Sequence, residues 1–285
     1  MWFSELSRYR LLSTLGHGES TIVYLAIDPH GRRVTLKTTL PTVPHYWRVR
    51  RQLWHEGRIG RRLNHPRIIR VFRYVVDRSH PCLIMEYFPG RSLKARLVNN
   101  EAIVHERMLD IIWDSAQALR YLHHQRIMHR DVKPENLLVG DDGRTKLTDF
   151  TLSITTGWLW RLLGRHRRRP AAGTRQYMAP ETIQRHPIDY RTDIYSFGCT
   201  IYELLTGRPP FVADNPDDLI RRHLEDEPTP VRILNPEVME ELDTLVLEML
   251  SKDRRTRPPS MDSILTRLAA LPGFRALTTA NDSPA

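Results

Sequence analysis

Short apolar runs of strand composition dominate the first third of the chain. They are Arg10-Leu-Leu-Ser-Thr-Leu15, Ile22-Val-Tyr-Leu-Ala-Ile27, Arg33-Val-Thr-Leu-Lys37 and Leu83-Ile-Met-Glu-Tyr87, and Asp28-Pro-His-Gly31 supplies a turn between two of them. With one helix among them, residues 1–88 read as a small sheet-rich lobe. After Pro89-Gly90 the period changes: Met108, Ile111, Ile112, Ser115, Ala116, Leu119 and Leu122 recur every three or four residues, the spacing of a helix with one buried face. Residues 194–205 and 242–250 read as further buried helices, with joints expected at Pro209-Pro210 and Pro258-Pro259. A larger helical lobe therefore spans 89–271, and 272–285 is a small, polar tail with no further domain expected after it.

Length and composition narrow this picture. A chain of 285 residues, 40% hydrophobic, can bury one large core or two lobes sharing a cleft. Cys82 and Cys199 each sit in an apolar run and outside any metal-ligand spacing, so both read as reduced core thiols of a cytoplasmic protein. The N-terminus is charged too early for a secretory signal, and every long apolar run is interrupted before the roughly 20 residues a membrane span needs. A net charge of +10 is compatible with polyanion binding, but the arginines are scattered and no nucleic-acid signature accompanies them, so no nucleic acid is expected as partner.

Gly16 and Gly18, in Leu15-Gly-His17-Gly-Glu-Ser, mark a strand turn; such a pair is either a plain turn or a place where backbone amides approach phosphate oxygens. Lys37 ends a strand whose alternation turns it among apolar neighbours unless it lies at the surface, and buried it needs an anion. Between Asp28 and Asp77 the only acidic residue is Glu56, set amid Arg48, Arg50, Arg51, Arg58, Arg61 and Arg62. The strongest signal is His129-Arg-Asp-Val-Lys-Pro-Glu-Asn136, followed by Asp149 in Lys146-Leu-Thr-Asp-Phe-Thr151 and by Gly173-Thr-Arg-Gln-Tyr-Met-Ala-Pro-Glu181.

In this order, these motifs resemble the eukaryotic-type serine/threonine protein kinases, and the bare domain is similar to those of bacteria. The resemblance runs from about Tyr9 to Leu271. It implies an α+β, two-lobed kinase-like fold, with a small antiparallel sheet and one main helix beside a mainly helical lobe. It implies ATP as phosphoryl donor with Mg2+, or Mn2+ in its place, and protein substrates. Lys37 would hold the α- and β-phosphates and Glu56 would fix Lys37 by an ion pair. Asp131 would accept the proton of the incoming hydroxyl, Lys133 would neutralise the phosphoryl in flight, and Asn136 and Asp149 would ligate the metal. Leu15, Gly16, His17, Gly18, Val23, Thr35, Met85, Glu86, Phe88 and Leu138 would line the nucleotide site, with backbone groups of Glu86 and Phe88 facing adenine; Leu15, Val23, Thr35 and Leu138 read equally well as core. Glu181 with Arg257, and Asp193 beneath the loop, are expected scaffold. Ser92 stands where relatives that prefer basic substrates often place an acid, which predicts no strong taste for arginine-rich sequences.

Two departures stand out. Thr21 and Thr151 occupy positions where glycine is usual, and if either needs φ > 0 a β-branched residue there costs about 1–2 kcal/mol. The segment from Trp158 to Arg169 mixes tryptophans with arginines and has no hydroxyl; it either packs on the kinase itself, the favoured reading, or docks on an acidic partner or anionic membrane surface. Three other classes compete: a pseudokinase acting as a nucleotide-binding or scaffolding module, a small-molecule phosphotransferase, and a nucleic-acid-binding module. The first needs no reacting groups, the second no residues 173–181, and the third would show steep salt dependence.

Overall fold

A computed structural model describes residues 5–40, 42–43, 45–77, 80–156 and 174–272. The Trp158 to Arg169 segment, Gly173 and most of the polar tail lie outside them. The chain divides into two compact units, Met1–Pro89 with Thr148–Thr151, and Gly90–Leu147 with Leu152–Ala285.

The first unit is an antiparallel sheet of β1 (Arg10–His17), β2 (Thr21–Ile27), β3 (Arg33–Thr39), β4 (Val71–Asp77) and β5 (His80–Glu86), in the order β1-β2-β3-β5-β4. The strand β4 is additional to the four runs read from the sequence. Alternation sends Ala26, Val34, Leu36, Val75, Cys82 and Ile84 into one buried cluster, with Tyr9 and Tyr24 packed against it. The opposite face carries Val23, Thr35, Lys37 and Met85, since Val23 pairs with Lys37 and Thr35 with Met85. Helix α1 (Tyr46–Gly60) lies on this second face. It comes close because it has glycine where it touches the strands: a Cβ at Gly57 would meet Leu83 Cδ2 at 2.8 Å, and one at Gly60 would meet Val71 Cγ2 at 2.3 Å. Each glycine costs the helix about 1 kcal/mol of propensity relative to alanine, and the close seat it permits brings Glu56 to Lys37.

The second unit begins with β6 (Gly90–Ser92), α2 (Leu93–Val98), α3 (Ala102–Glu106) and α4 (Met108–His124). Ser92 is the N-cap of α2, its hydroxyl accepting from the Ala95 N–H. Then come β7 (Ile127–Met128), β8 (Leu137–Gly140), β9 (Thr145–Leu147) and β10 (Ile154–Thr155), which form a β6-β8-β9 sheet and a β10-β7 pair. The remaining helices are α5 (Pro180–Ile183), α6 (Arg191–Thr206), α7 (Pro216–Glu225), α8 (Val231–Leu234), α9 (Glu240–Met249) and α10 (Met261–Ala269). Helix α6 is buried from Thr192 to Leu205 and ends at Gly207, whose φ of 76° closes it two residues before Pro209. The Pro258-Pro259 joint does not end α9, which stops at Met249; it leads instead into Ser260, the N-cap of α10. Cys82 and Cys199 are buried free thiols, and burial pushes the Cys82 thiol up to about 12 and Cys199 in the same direction.

Helix α7 carries a fully buried histidine. His223 Nδ1 shares a hydrogen bond of 2.9 Å with the Tyr195 hydroxyl, and burial, seconded by the nearby Lys252 charge, lowers its pKa to about 4. A histidine that stays neutral in the fold and titrates near 6.5 when unfolded stabilises fully only above that value. Its contribution is lost as pH falls from about 6.5 toward 4, on the order of 3 kcal/mol in all. His223→Gln is therefore expected to flatten the acid side of a stability–pH curve measured by urea unfolding; a curve unchanged in shape would refute this.

Candidate active site

Each unit carries one set of predicted site residues. In the first, Lys37 Nζ donates to both oxygens of Glu56, at 3.0 Å to Oε1 and 2.8 Å to Oε2, and lies 3.6 Å from Asp149 Oδ2. The Glu56 side chain is 2% exposed, so without a cation its carboxylate would carry a large desolvation cost. Burial opposes the Lys37 charge, but the carboxylates of Asp149 and Glu56 outweigh it and hold the ammonium well above the usual lysine range. Burial conversely raises Glu56, with Lys37 and the Thr151 hydroxyl pulling the other way.

Asp149 takes φ = 64°, a conformation that aspartate tolerates better than branched residues do. The left-handed position in this turn is thus Asp149 and not Thr151, and Thr21 also has no positive φ, so the strain expected at the two threonines does not arise. Thr151 does something the sequence did not reveal. Its N–H donates to Asp149 Oδ1 at 3.1 Å, and its hydroxyl donates to Glu56 Oε2 at 3.1 Å, so it ties the Asp149 turn to α1. Thr151→Val, which keeps the shape and deletes the donor, is expected to lower stability by about 1.5 kcal/mol, as for a hydrogen bond to a charged group. Thr151→Ser should restore the wild-type value; urea unfolding of the three proteins decides it.

The predicted nucleotide-lining residues of this unit spread along the sheet. Leu15, Gly16 and His17 end β1, and Leu15 is 47% exposed, which removes it from the core. Gly18 follows, its N–H donating to Thr21 O at 2.8 Å, and an added Cβ there would press on Thr21 Oγ1 at 3.0 Å. Val23 is half-buried, whereas Thr35 and Met85 are buried. The Glu86 N–H donates to Arg70 O at 2.8 Å and is therefore already engaged; Phe88 is half-buried.

In the second unit the loop from β7 to β8 holds His129 to Asn136, seated on a fully buried carboxylate. Asp193 accepts from the His129 N–H at 2.8 Å, from the Arg130 N–H at 2.8 Å and from His123 Nε2 at 2.9 Å. Burial alone would raise Asp193, but His123 overrides it and holds the carboxyl below the usual range. Arg130 turns the chain with φ = 69°.

Beyond that turn Asp131 is gripped on both oxygens. The Thr174 N–H and hydroxyl donate to Oδ1 at 3.1 and 3.3 Å, the Asn136 amide donates to Oδ2 at 3.1 Å, and Lys133 Nζ sits 2.9 Å from Oδ2. Lys133 also donates to Thr174 Oγ1 at 2.6 Å. The Asn136 NH2 also donates to Asp131 O at 2.7 Å, so its carbonyl oxygen is the atom left for a cation. Leu138 is half-buried in β8. Arg257 grips Glu181 with both guanidinium nitrogens at 2.9 Å. His123 and Thr174 were not singled out for these contacts, because their partners are 70 and 43 residues away.

The first unit thus holds a lysine neutralised by a buried helix glutamate, with an aspartate turn tied to that pair, and the second holds an aspartate gripped by asparagine, lysine and threonine; these are residue types that phosphoryl transfer uses. The description "Protein kinase domain" matches residues 9–267, and the chain belongs to that family. It is 35% identical to a probable serine/threonine-protein kinase of Streptomyces coelicolor over 92% of its own length and 40% of that protein's. It is 34% identical to the serine/threonine-protein kinase PknB of Mycolicibacterium smegmatis over 88% of its length and 40% of the relative's, and 33% identical to PknB of Mycobacterium tuberculosis over 89% and 41%. The chain thus spans about 40% of these relatives. Among the described residues no helix is long and apolar enough to cross a membrane.

Proposed function

We propose that this chain transfers the γ-phosphoryl group of ATP to serine or threonine hydroxyls of proteins. The observation that supports this best is the grip on Asp131, since a scaffold has no need of a carboxylate fixed by four donors. In the reaction the acceptor hydroxyl oxygen forms a bond to the γ-phosphorus while the bond from that phosphorus to the β,γ-bridging oxygen breaks. The acceptor's proton passes to Asp131, and ADP leaves. Asp131 orients the hydroxyl and takes its proton, Lys133 offsets charge on the moving phosphoryl, and Lys37, kept cationic by Glu56, steadies the α- and β-phosphates. Thr174 beside Lys133 favours serine and threonine as acceptors.

A magnesium ion, with manganese as a substitute, would neutralise phosphate charge. Asn136 and Asp149 each offer a hard oxygen donor, the kind and small number of protein ligands that magnesium accepts when phosphates complete its shell. Ser92, spent on capping α2, gives a basic substrate no carboxylate there.

Incubation with labelled ATP, magnesium and a generic protein acceptor tests the reading. Label on serine or threonine above that of a Lys37→Met control is the expected result. Signal no greater than the control would instead favour a pseudokinase.

A further inference from the structure

Helix α1 turns two different surfaces outward and inward. Val49, Leu53, Glu56, Gly57, Ile59 and Gly60 are buried, whereas Trp47 is 72% exposed and Trp54 50%. Positions 47, 51, 54 and 58 fall on one stripe of a 3.6-residue helix, spanning about 16 Å along its axis. They read Trp, Arg, Trp, Arg, and Arg61 continues the line in the turn beyond. Glu56, nine positions after Trp47, points the opposite way.

The arginines and indoles are organised together. The Arg50 guanidinium lies 5.1 Å from the centre of the Trp47 ring and Arg58 lies 5.4 Å from that of Trp54. The only acid between Asp28 and Asp77 is Glu56, which is buried and bound to Lys37. Among the described residues no carboxylate pairs with Arg48, Arg51, Arg58, Arg61 or Arg62.

An exposed tryptophan pair or a run of arginines alone gives weak attachment to any surface, but indoles and guanidinium groups alternating on one line supply an apolar and an electrostatic attraction together. We infer that this ridge lays α1 on an anionic lipid surface, the indoles at headgroup level and the arginines on lipid phosphates. A lipid plane fits better than an acidic polypeptide for a geometric reason. The four side chains fall on one helical stripe about 16 Å long, so a continuous plane of phosphates can meet every member at once, whereas a protein would need a matching acidic groove. The attachment is peripheral and independent of the Trp158 to Arg169 segment.

Co-sedimentation with vesicles of phosphatidylcholine, with and without phosphatidylglycerol, tests this on the full chain. Wild type should bind the anionic vesicles and leave the zwitterionic ones free. Trp47→Ala/Trp54→Ala and Arg51→Gln/Arg58→Gln should each weaken that binding roughly tenfold or more, with urea midpoints close to wild type because all four side chains lie on the outer face of α1. Trp158→Ala/Trp160→Ala should bind as wild type does. The inference falls if wild type ignores anionic vesicles, if the α1 variants bind equally well, or if only the 158/160 variant loses binding. Trp47-dependent binding to soluble polyglutamate without vesicle binding would also overturn it and assign the ridge to an acidic polypeptide. None of these readouts depends on phosphoryl transfer.

Discussion

Replacing Asp131 with alanine is expected to lower kcat by roughly 10²–10⁴-fold while leaving the KM for ATP almost unchanged. The size follows from the role proposed for Asp131, an oriented general base, whose ordinary contribution lies in that range. The selectivity for kcat follows from where the residue acts. Asp131 is bonded to Thr174, Asn136 and Lys133, and Asn136, the proposed metal ligand, keeps its second bond to the Asp131 main-chain oxygen at 2.7 Å in the alanine variant, so its place does not hang on the lost carboxylate. Its side chain therefore earns its effect only when the acceptor proton moves. Asp131→Asn sharpens the test. The amide keeps the size and one acceptor, but it cannot take a proton and must turn an NH2 toward Lys133 or the Thr174 donors. It should fall with alanine rather than with wild type. Steady-state rates measured at saturating protein acceptor, with ATP varied, separate the two parameters. A loss carried wholly by KM would mean that Asp131 organises binding and is not the base.

What the sequence made legible follows from how local each constraint is. The run from His129 to Asn136 could be read because reacting groups are spaced within one loop, and the Lys37–Glu56 pair because a lone acid stood among arginines. Helices such as α4 and α6 announced themselves through long apolar periods. The two-residue strands β7 and β10 did not, since two residues carry no period and their pairing depends on residues 26 and 28 positions apart. Strain at Thr151 was anticipated from residue type alone, whereas the chain places the left-handed φ at Asp149 and turns the threonine hydroxyl to use on Glu56. Leu15 looked equally suited to core or ligand wall, and its 47% exposure on the edge strand β1 removes it from the core. Partners set by tertiary packing leave no local trace: Glu181 with Arg257, 76 residues apart, was expected only through the family resemblance, and Thr174 with Asp131, 43 apart, was not expected at all.

The largest stability effect is expected at Arg257. Its side chain is fully buried and that of Glu181 is 7% exposed, and the two meet as a fork with both N–O distances at 2.9 Å. The remaining bonding capacity is filled: Thr192 Oγ1 donates to Glu181 Oε1 at 2.8 Å, Arg257 Nε donates to Ser251 O at 2.8 Å, and the guanidinium lies 4.8 Å from the centre of the Tyr195 ring. Arg257→Ala removes the cation and strands the carboxylate, which costs about 3–5 kcal/mol when one member of a buried pair is deleted. Glu181→Leu/Arg257→Met, which removes both charges and keeps apolar volume, should lose much less, because no buried ion is left alone. By contrast Arg255, exposed and paired with Asp253 two residues away, should be replaceable with little change. The pH dependence gives an independent check. Burial tends to raise Glu181, but Arg257 prevails and holds its carboxyl below the usual range in the wild type, so the pair stabilises fully above about pH 4.3 and fades as pH drops through the lower folded value. In Arg257→Ala burial acts unopposed and Glu181 takes up its proton at higher pH, relieving the stranded charge. The stability gap between the two proteins, measured by urea unfolding, should therefore be widest near neutrality and narrow on acidification; a gap independent of pH would mean that lost packing, and not the uncompensated carboxylate, sets the cost.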